Sequence, residues 1–373
     1  MLTVTEVKTK RQQKDFLNFP LKLYKDNPNF VPPLYSDEKK MFRPDYVYYD
    51  TCEAVCWNAY RDGRMVGRIQ GILQKAHNQK TGEKRVRFTR FDSIDDQAVA
   101  DALFGAVEAW AREKGMNKVC GPLGFSDLER EGLLIEGFDE LATFEEQYNA
   151  AYYQRLIENL GYRKEVDWEE RKIYLPEQDD GKLEQMAEYV MKRYNLHFGQ
   201  ARNKKDFIRR YGDAFFALLD EGYKDIYGTV PFTKGMKDML IDNFMLIIEL
   251  KYVGVILDEN DNLVCLGLCF PSLSRAVQKS GGRLTPAALV RVLRDVKHPK
   301  ILDLGLVAVA PEWANRGVAT VVSAHILKLL REEKGVEYCE TNLNLEDNRS
   351  IINMWKRFKA IPHKKRRSYI KNI

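Results

Sequence analysis

Two carboxylates in otherwise apolar stretches are the first candidates for chemistry in this sequence. Asp303 lies in ILDLGLVAVA and Glu340 lies in VEYCET. Apolar surroundings disfavour the charged form of a carboxyl group and raise its pKa, so that the group can accept a proton near neutral pH. We therefore take Asp303 and Glu340 as candidate general bases. The alternative is that each is a charge at a strand end that faces solvent.

The segment after the first of these strands has the pattern of an anion-binding loop. Residues 307–322 read VAVAPEWANRGVATVV, which predicts an apolar strand, a short loop with Arg316 and Gly317, and an apolar helix. The first N–H groups of a helix lack backbone partners and carry partial positive charge, so they can hold a phosphate or pyrophosphate. The Gly-Lys-Ser/Thr of a P-loop and the further glycines of a dinucleotide fingerprint are absent. By itself the motif also fits a plain strand-to-helix connection.

The elements around these residues predict an α/β fold in two lobes. A chain of 373 residues exceeds one hydrophobic core. The sequence pattern of each half predicts, in order, a hairpin, a further strand, an amphipathic helix, another strand, and a last helix and strand. The hairpin turns are expected at Asp62-Gly63 and near residues 259–262. We expect lobes of residues 1–176 and 177–373 that share a mixed sheet with helices on it.

VAVAPEWANRGVA, followed by CETNLNLEDNRSIINMWKRFKA, resembles the GCN5-related N-acetyltransferase (GNAT) superfamily, whose loop pattern is Arg/Gln-x-x-Gly-x-Gly/Ala. The resemblance extends from about residue 246 to the end, and the first half resembles the same fold more weakly. It implies two tandem GNAT-like lobes, the first one degenerate, and acetyl-CoA or a longer acyl-CoA as cosubstrate with no metal.

The same resemblance implies the cofactor site. The strand edge would bind the pantetheine arm and offer an N–H to the thioester oxygen, and the helix start would hold the pyrophosphate. The cofactor-binding residues expected on this basis are Leu306, Val307, Val309, Asn315, Arg316, Gly317, Val318, Ala319, Thr320 and Asn348. Ala314 replaces the leading Arg/Gln, and Trp355 replaces a tyrosine that can protonate the departing thiolate. We therefore name Tyr152 of the first half, or its neighbour Tyr153, as the candidate acid.

The first half differs at the matching point. Asp95 and Asp96 stand at the start of its helix, where they can accept the free N–H groups and repel a pyrophosphate. We therefore expect CoA in the second lobe only. The acidic loop of residues 121–140 is expected to hold an amine acceptor between the lobes, and its candidate substrate-binding residues are Phe125, Ser126, Asp127 and Glu131. The alternative is a solvated loop.

Composition limits the remaining classes. The six cysteines form no C-x-x-C pair, which favours buried free thiols over a metal site, and the net charge of +5 comes with no motif that reads nucleic acid. The start lacks the apolar core of a signal peptide, so we expect a cytoplasmic protein. The basic run KRFKAIPHKKRRSYIK is expected to be a solvated edge, or to meet the ribose phosphate of CoA or an anionic membrane surface.

These observations predict a CoA-dependent N-acyltransferase in which an amine, a small molecule or a lipid, attacks the thioester directly. Three alternatives stay open: long-chain acyl transfer to a lipid amine as in ceramide synthesis, an aminoacyl-tRNA-dependent transferase, and a non-catalytic acyl-CoA-binding protein.

Overall fold

A computed structural model describes residues 1–373 and places fourteen strands in one mixed sheet. The strands are β1 (Leu2–Glu6), β2 (Cys52–Arg61), β3 (Arg64–Gln74), β4 (Arg85–Ser93), β5 (Lys118–Gly121), β6 (Leu133–Glu136), β7 (Arg163–Tyr174), β8 (His197–Phe198), β9 (Val253–Leu257), β10 (Leu263–Pro271), β11 (Ile301–Val309), β12 (Tyr338–Thr341), β13 (Asn344–Leu345) and β14 (Lys359–Asn372). The predicted hairpins are β2–β3, which turns at Asp62 and Gly63 with positive φ, and β9–β10.

Twelve α-helices lie on this sheet, and none of them is long and apolar enough to cross a membrane. They are α1 (Lys10–Leu23), α2 (Tyr35–Lys40), α3 (Lys75–Thr81), α4 (Gln97–Glu113), α5 (Tyr152–Asn159), α6 (Lys182–Arg193), α7 (Lys204–Gly222), α8 (Lys234–Ile247), α9 (Ser274–Ser280), α10 (Pro286–Lys297), α11 (Val318–Glu332) and α12 (Arg349–Trp355). The apolar stripes predicted for α4 and α11 are buried, and all six cysteines are buried free thiols.

The two halves exchange their last strands. The sheet runs in the order β1-β2-β3-β4-β5-β14-β7-β12-β11-β10-β9-β8, so β14 joins β5 of the first half and β7 joins β12 of the second. β7 and β14 pair antiparallel from Arg163 opposite Ile370 to Tyr174 opposite Lys359. The expected mixed α/β architecture is confirmed, whereas the division at residue 176 stays a prediction because each half contributes a strand to the other's side of the sheet.

The basic C-terminal run is not a solvated edge, and this expectation is wrong. It forms β14 in the interior of the sheet, where Lys364 and Arg366 are buried. Lys364 Nζ lies 2.6 Å from Glu340 Oε1 and 3.1 Å from Glu170 Oε2, and Arg366 Nε donates to Glu170 Oε1 at 2.6 Å. Buried charges are tolerated only when they are paired and hydrogen-bonded, so these contacts are what permits a basic strand in this position.

Replacing Lys364 with Met should strongly destabilise the chain. The substitution leaves the buried Glu170 and Glu340 without the ammonium between them, and breaking a buried pair costs roughly 3–5 kcal/mol. Lys359→Met on the same strand is the matched control, because Lys359 pairs with Glu177 in an exposed position and should change the free energy of unfolding by less than about 1 kcal/mol. Denaturant unfolding measures both. Equal, small losses for the two variants would contradict this role for Lys364.

Candidate active site

The site begins where β11 and β12 separate. The two strands pair in parallel from Ile301 opposite Tyr338 to Leu304 opposite Thr341, and the N–H of Asn342 then donates to the carbonyl of Leu304 at 3.2 Å. Beyond this point β11 continues alongside β10, whereas the segment that follows β12 forms β13, which pairs with β7. The edge of β11 from Gly305 onward therefore has no neighbouring strand on that side.

A cavity of about 640 Å³ lies along this open edge, and 35 of its 54 lining residues are hydrophobic. Its walls include Gly305 to Val309 of β11, residues of α11 and α12, and the loop that connects β5 to α5 in the first half. Part of the lining, which we call the apolar branch, consists of aliphatic and aromatic side chains of α8, α9, α10 and the segments next to them: Leu240, Phe244, Leu246, Ile247, Leu273, Val277, Leu284 and Val292. The branch offers an apolar environment to a hydrocarbon chain.

The charged groups that line the cavity are acidic. No lysine or arginine lines it. Seven acidic residues do: Asp37, Asp127, Glu129, Glu131, Glu145, Glu146 and Asp242. An excess of one sign of charge in a low-dielectric cleft attracts the opposite sign and repels its own. In their ionised form these groups favour a cationic ligand and disfavour a ligand with a carboxylate or phosphate near them.

Several of these carboxyl groups have raised pKa values. Burial raises the pKa of Glu145 to about 7, and the charge of Glu340 adds to the effect. Burial also raises the pKa of Glu146 to about 8 against the lowering effect of Arg366, and it raises that of Glu131 well above its usual range. Glu131 Oε1 and Glu146 Oε2 accept no hydrogen bond. The carboxyl groups of Glu145 and Glu146 can therefore exchange a proton near neutral pH.

Asp303 and Glu340 lie side by side behind the cavity wall. They occupy matching positions on β11 and β12, and both are buried, so the alternative of solvent-facing charges is wrong. Burial raises the pKa of Asp303, as do the charges of Glu145 and Glu340, and neither Asp303 oxygen accepts a hydrogen bond. The pKa of Glu340 is instead lowered, because Lys364 and His363 outweigh its burial. Neither carboxylate lines the cavity.

Glu340, Glu170 and His363 also have the arrangement of a three-ligand metal site, with ligand atoms within 4.8 Å of one another. Lys364 Nζ contacts both carboxylates at this point, at 2.6 Å and 3.1 Å. The two carboxylates are therefore partners of an ammonium group, which takes the place a cation would need.

The start of α11 has the unpaired donors that the sequence predicts. Gly317, with φ of 81°, immediately precedes the helix, and no acceptor within the chain takes the N–H groups of Gly317, Val318 and Ala319. Residues 314–316 of the loop are exposed, and the Arg316 guanidinium lies over the Trp313 ring at 4.6 Å. In the first half Asp96 caps α4 by accepting from the N–H of Val99 at 3.3 Å, as expected. Only the second half presents a free helix start at this position.

The structure brings together a part of the predicted cofactor and substrate sites. The predicted residues that line the cavity are Leu306, Val307, Val309, Ala319, Asn348, Asp127 and Glu131. The other predicted cofactor residues, Asn315, Arg316, Gly317, Val318 and Thr320, lie at or before the start of α11, outside the cavity lining.

Three predicted residues lie elsewhere. Phe125 stacks on Tyr48 with ring centroids 5.2 Å apart, and Ser126 Oγ lies 3.2 Å from the Tyr48 hydroxyl. The Tyr152 hydroxyl donates to the carbonyl of Ser93 at 2.6 Å, and Tyr152 packs against the core of the first half. None of the three lines the cavity, and Tyr153 does not line it either.

Sequence reasoning missed Tyr223, Glu145 and Glu146. Tyr223, just after α7, lines the cavity and donates its hydroxyl to the carbonyl of Val307 at 3.0 Å. Nothing in the sequence around Tyr223 indicates that it reaches β11. The two glutamates follow the acidic loop from which Asp127 and Glu131 were selected, so the same argument, extended by six residues, would have included them.

No family model matches the chain, but whole-chain relatives and structures do. The chain is similar to Protein YghO of Escherichia coli, with 28% identity over 98% of this chain and 94% of that one. It is also similar to the bacterial ceramide synthase of Caulobacter vibrioides, with 26% identity over 100% of this chain and 98% of that one. Among solved structures it is similar to a tandem GNAT protein from the clavulanic acid biosynthesis pathway, with 12% identity, 100% and 98% coverage and a TM-score of 0.57. It is also similar to a GCN5-related N-acetyltransferase from Sphaerobacter thermophilus, with 12% identity over 100% of this chain and 95% of that one and a TM-score of 0.53. The resemblance to GNAT proteins is confirmed at the level of the fold.

Asp303→Asn and Glu340→Gln should change stability in opposite directions. The folded-state pKa of Asp303 is raised, so wild-type stability falls as pH rises above about 4, where the unfolded carboxyl ionises; the asparagine variant avoids this loss. It should therefore gain more over wild type at about pH 8 than at about pH 5. The pKa of Glu340 is lowered, so Glu340→Gln should lose stability that wild type holds above about pH 4. Denaturant unfolding at the two pH values measures both, and equal effects of the two variants would contradict the assignment.

Proposed function

Starting from the tandem GNAT fold, we propose that the chain transfers an acyl group from a CoA thioester to an amine by direct attack. One observation carries the proposal: a single cavity joins the open edge of β11 to a wall of carboxylates without any lysine or arginine. The first feature suits a thioester donor, and the second suits a cationic acceptor.

On the donor side, the free N–H groups at the start of α11 would bind the CoA pyrophosphate. The pantetheine arm would lie along Leu306 to Val309, beyond the point where β12 turns away. A backbone N–H of this edge would then stabilise the oxyanion of the tetrahedral intermediate. The arrangement requires no covalent enzyme intermediate and no metal ion.

On the acceptor side, the carboxylates attract an ammonium group and Glu145 removes its proton. Glu145 is half-buried, lines the cavity and has a pKa near the operating pH of a general base. Glu340 lies behind it, and we assign it the supporting role of raising the pKa of the Glu145 carboxyl by its charge; Asp303, whose own pKa is raised by burial and by Glu145, is its neighbour there. This assigns the role of base to a different residue from those chosen on sequence alone.

In the reaction the neutral amine nitrogen attacks the thioester carbonyl carbon, and the carbon–sulfur bond breaks as the tetrahedral intermediate collapses. The amine gives up its protons to Glu145 and solvent, and the products are an amide and CoA. The Tyr223 hydroxyl, next to the β11 edge, can protonate the departing thiolate. A thiol of pKa about 8.5 also leaves as the thiolate, so Tyr223 assists a step that does not depend on it entirely.

A lipid amine with a long acyl donor is the favoured substrate pair. The apolar branch next to the acidic wall fits a hydrocarbon chain, and the relative from Caulobacter vibrioides is a ceramide synthase. Nothing in the lining favours an aminoacyl-tRNA substrate over a CoA thioester, whose pyrophosphate the start of α11 would hold. A non-catalytic acyl-CoA-binding protein would bind the donor and release no CoA in the presence of any amine.

Glu145→Gln should abolish the proton acceptor and lower kcat by roughly 10²–10⁴-fold. Wild-type activity should rise with pH through about 7 as the Glu145 carboxyl ionises, and the variant should lose this dependence. CoA release from palmitoyl-CoA with a sphingoid base as acceptor measures both. Glu136→Gln, an exposed glutamate on β6, is the matched control and should keep wild-type rates. An unchanged kcat and pH profile in Glu145→Gln would contradict the proposed base.

Ala319→Glu should remove CoA binding without unfolding the chain. Ala319 is exposed at the second position of α11, where a carboxylate stabilises the helix but repels a pyrophosphate. Ala287→Glu places the same side chain at the second position of α10 and should leave CoA binding unchanged. Calorimetry with CoA measures both variants, and equal affinities would contradict the proposed pyrophosphate site.

A further inference from the structure

Exposed apolar side chains concentrate on one part of the surface. Of the eleven large apolar residues that are exposed, five belong to α8, α10 and the turn before α10: Leu246, Leu284, Leu289, Val290 and Leu293. α10 buries Ala288, Val292 and Val296 against the protein, so Leu289, Val290 and Leu293 face outward with nothing covering them. Exposed apolar groups clustered in this way mark interaction surfaces.

The same part of the chain is strongly cationic. Residues 275–300 contain one acidic residue, Asp295, and seven basic ones: Arg275, Lys279, Arg283, Arg291, Arg294, Lys297 and Lys300. Only Lys300 takes part in an ion pair, with Glu337 at 3.8 Å in an exposed position. We call the five exposed apolar residues together with these seven basic residues the α10 surface. Its net positive charge is complementary to an anionic partner.

The α10 surface also lies at an opening of the cavity. Leu246 and Leu284 are exposed and line the cavity at the same time. Val292, on the inner side of α10, lines the cavity as well, so this helix separates the apolar branch from the outside. A molecule bound against the α10 surface would therefore be next to the apolar branch.

We propose that the α10 surface docks the chain on an anionic lipid bilayer, so that a lipid substrate can pass between the bilayer and the apolar branch. The outward residues are aliphatic side chains with lysine and arginine around them, which is the composition of helices that lie in a membrane interface. Protein–protein hot spots favour Trp, Tyr and Arg, and of these the α10 surface has arginine but neither aromatic residue. The contact is peripheral, because no helix of the chain is long and apolar enough to cross a membrane.

This docking surface differs from the one that the sequence suggests. Lys364 and Arg366 of the C-terminal basic run are buried and paired within the sheet, whereas the seven cations of the α10 surface are exposed and only Lys300 among them is in an ion pair. The inference goes beyond the proposed function, since bilayer binding requires neither acyl-CoA nor turnover. Absence of bilayer binding would therefore not contradict the proposed acyl transfer, and absence of acyl transfer would not contradict the proposed bilayer binding.

Cosedimentation of the full chain with vesicles tests the proposal. We expect binding to vesicles of phosphatidylglycerol and phosphatidylethanolamine, weaker binding as salt rises, and little binding to phosphatidylcholine alone. Arg291→Glu with Arg294→Glu should weaken the partition at least about tenfold, because each cation near an anionic surface contributes to it. Val290→Ser with Leu293→Ser should weaken it as well, by removing apolar contact with the acyl region.

Met186→Ser with Tyr189→Ser is the matched control, because these exposed apolar residues lie on α6, away from α10, with Lys192 and Arg193 nearby in sequence. The control should bind vesicles as wild type does. Absence of wild-type binding to anionic vesicles, or equal binding by the α10 variants, would overturn the proposal. Binding to a small acidic protein in place of vesicles, or a change of oligomeric mass in the α10 variants, would also overturn it and assign the surface to a protein partner.

Discussion

The pairing of β14 with β7 is the constraint on which the rest of the structure depends. It carries a basic strand through the middle of the sheet, where Lys364 and Arg366 are buried. Such a strand is tolerated only because Glu170 on the adjacent β7 and Glu340 on β12, one strand further, pair with its cations. The same pairing brings β7 of the first half against β12 of the second. The acidic loop that precedes α5 in the first half thereby meets the open edge of β11, and neither half alone contains both walls of the cavity.

The two halves have similar topology but different chemistry at matching points. In the first half Asp96 accepts a hydrogen bond from an N–H group at the start of α4, whereas in the second half three N–H groups at the start of α11 have no acceptor. Charge is also separated in space. The charged residues that line the cavity are all acidic, whereas the surface around α10 carries seven basic residues, and the modest net charge of +5 does not show this separation. The acidic cavity suits an amine, and the basic exterior suits an anionic surface from which a lipid amine could come.

The sequence was sufficient for the local elements and for part of the site. Hairpins, amphipathic helices and the strand-loop-helix around Gly317 follow from residue periodicity and turn residues, which act over short distances. The position of β14 could not be predicted, because a run of lysines and arginines predicts exposure unless its distant carboxylate partners are known. For the same reason Tyr223 was missed and Tyr152 was selected, since which tyrosine reaches Val307 is decided by the packing of α7 against β11.

The most direct test of the account is calorimetric binding of CoA, acetyl-CoA and palmitoyl-CoA to the wild-type chain. We expect all three to bind, because they share the pyrophosphate that the start of α11 would hold. We expect palmitoyl-CoA to bind tightest, because its chain can enter the apolar branch. Absence of binding for all three would contradict the central claim, and would leave the loop around Gly317 as a plain connection between a strand and a helix.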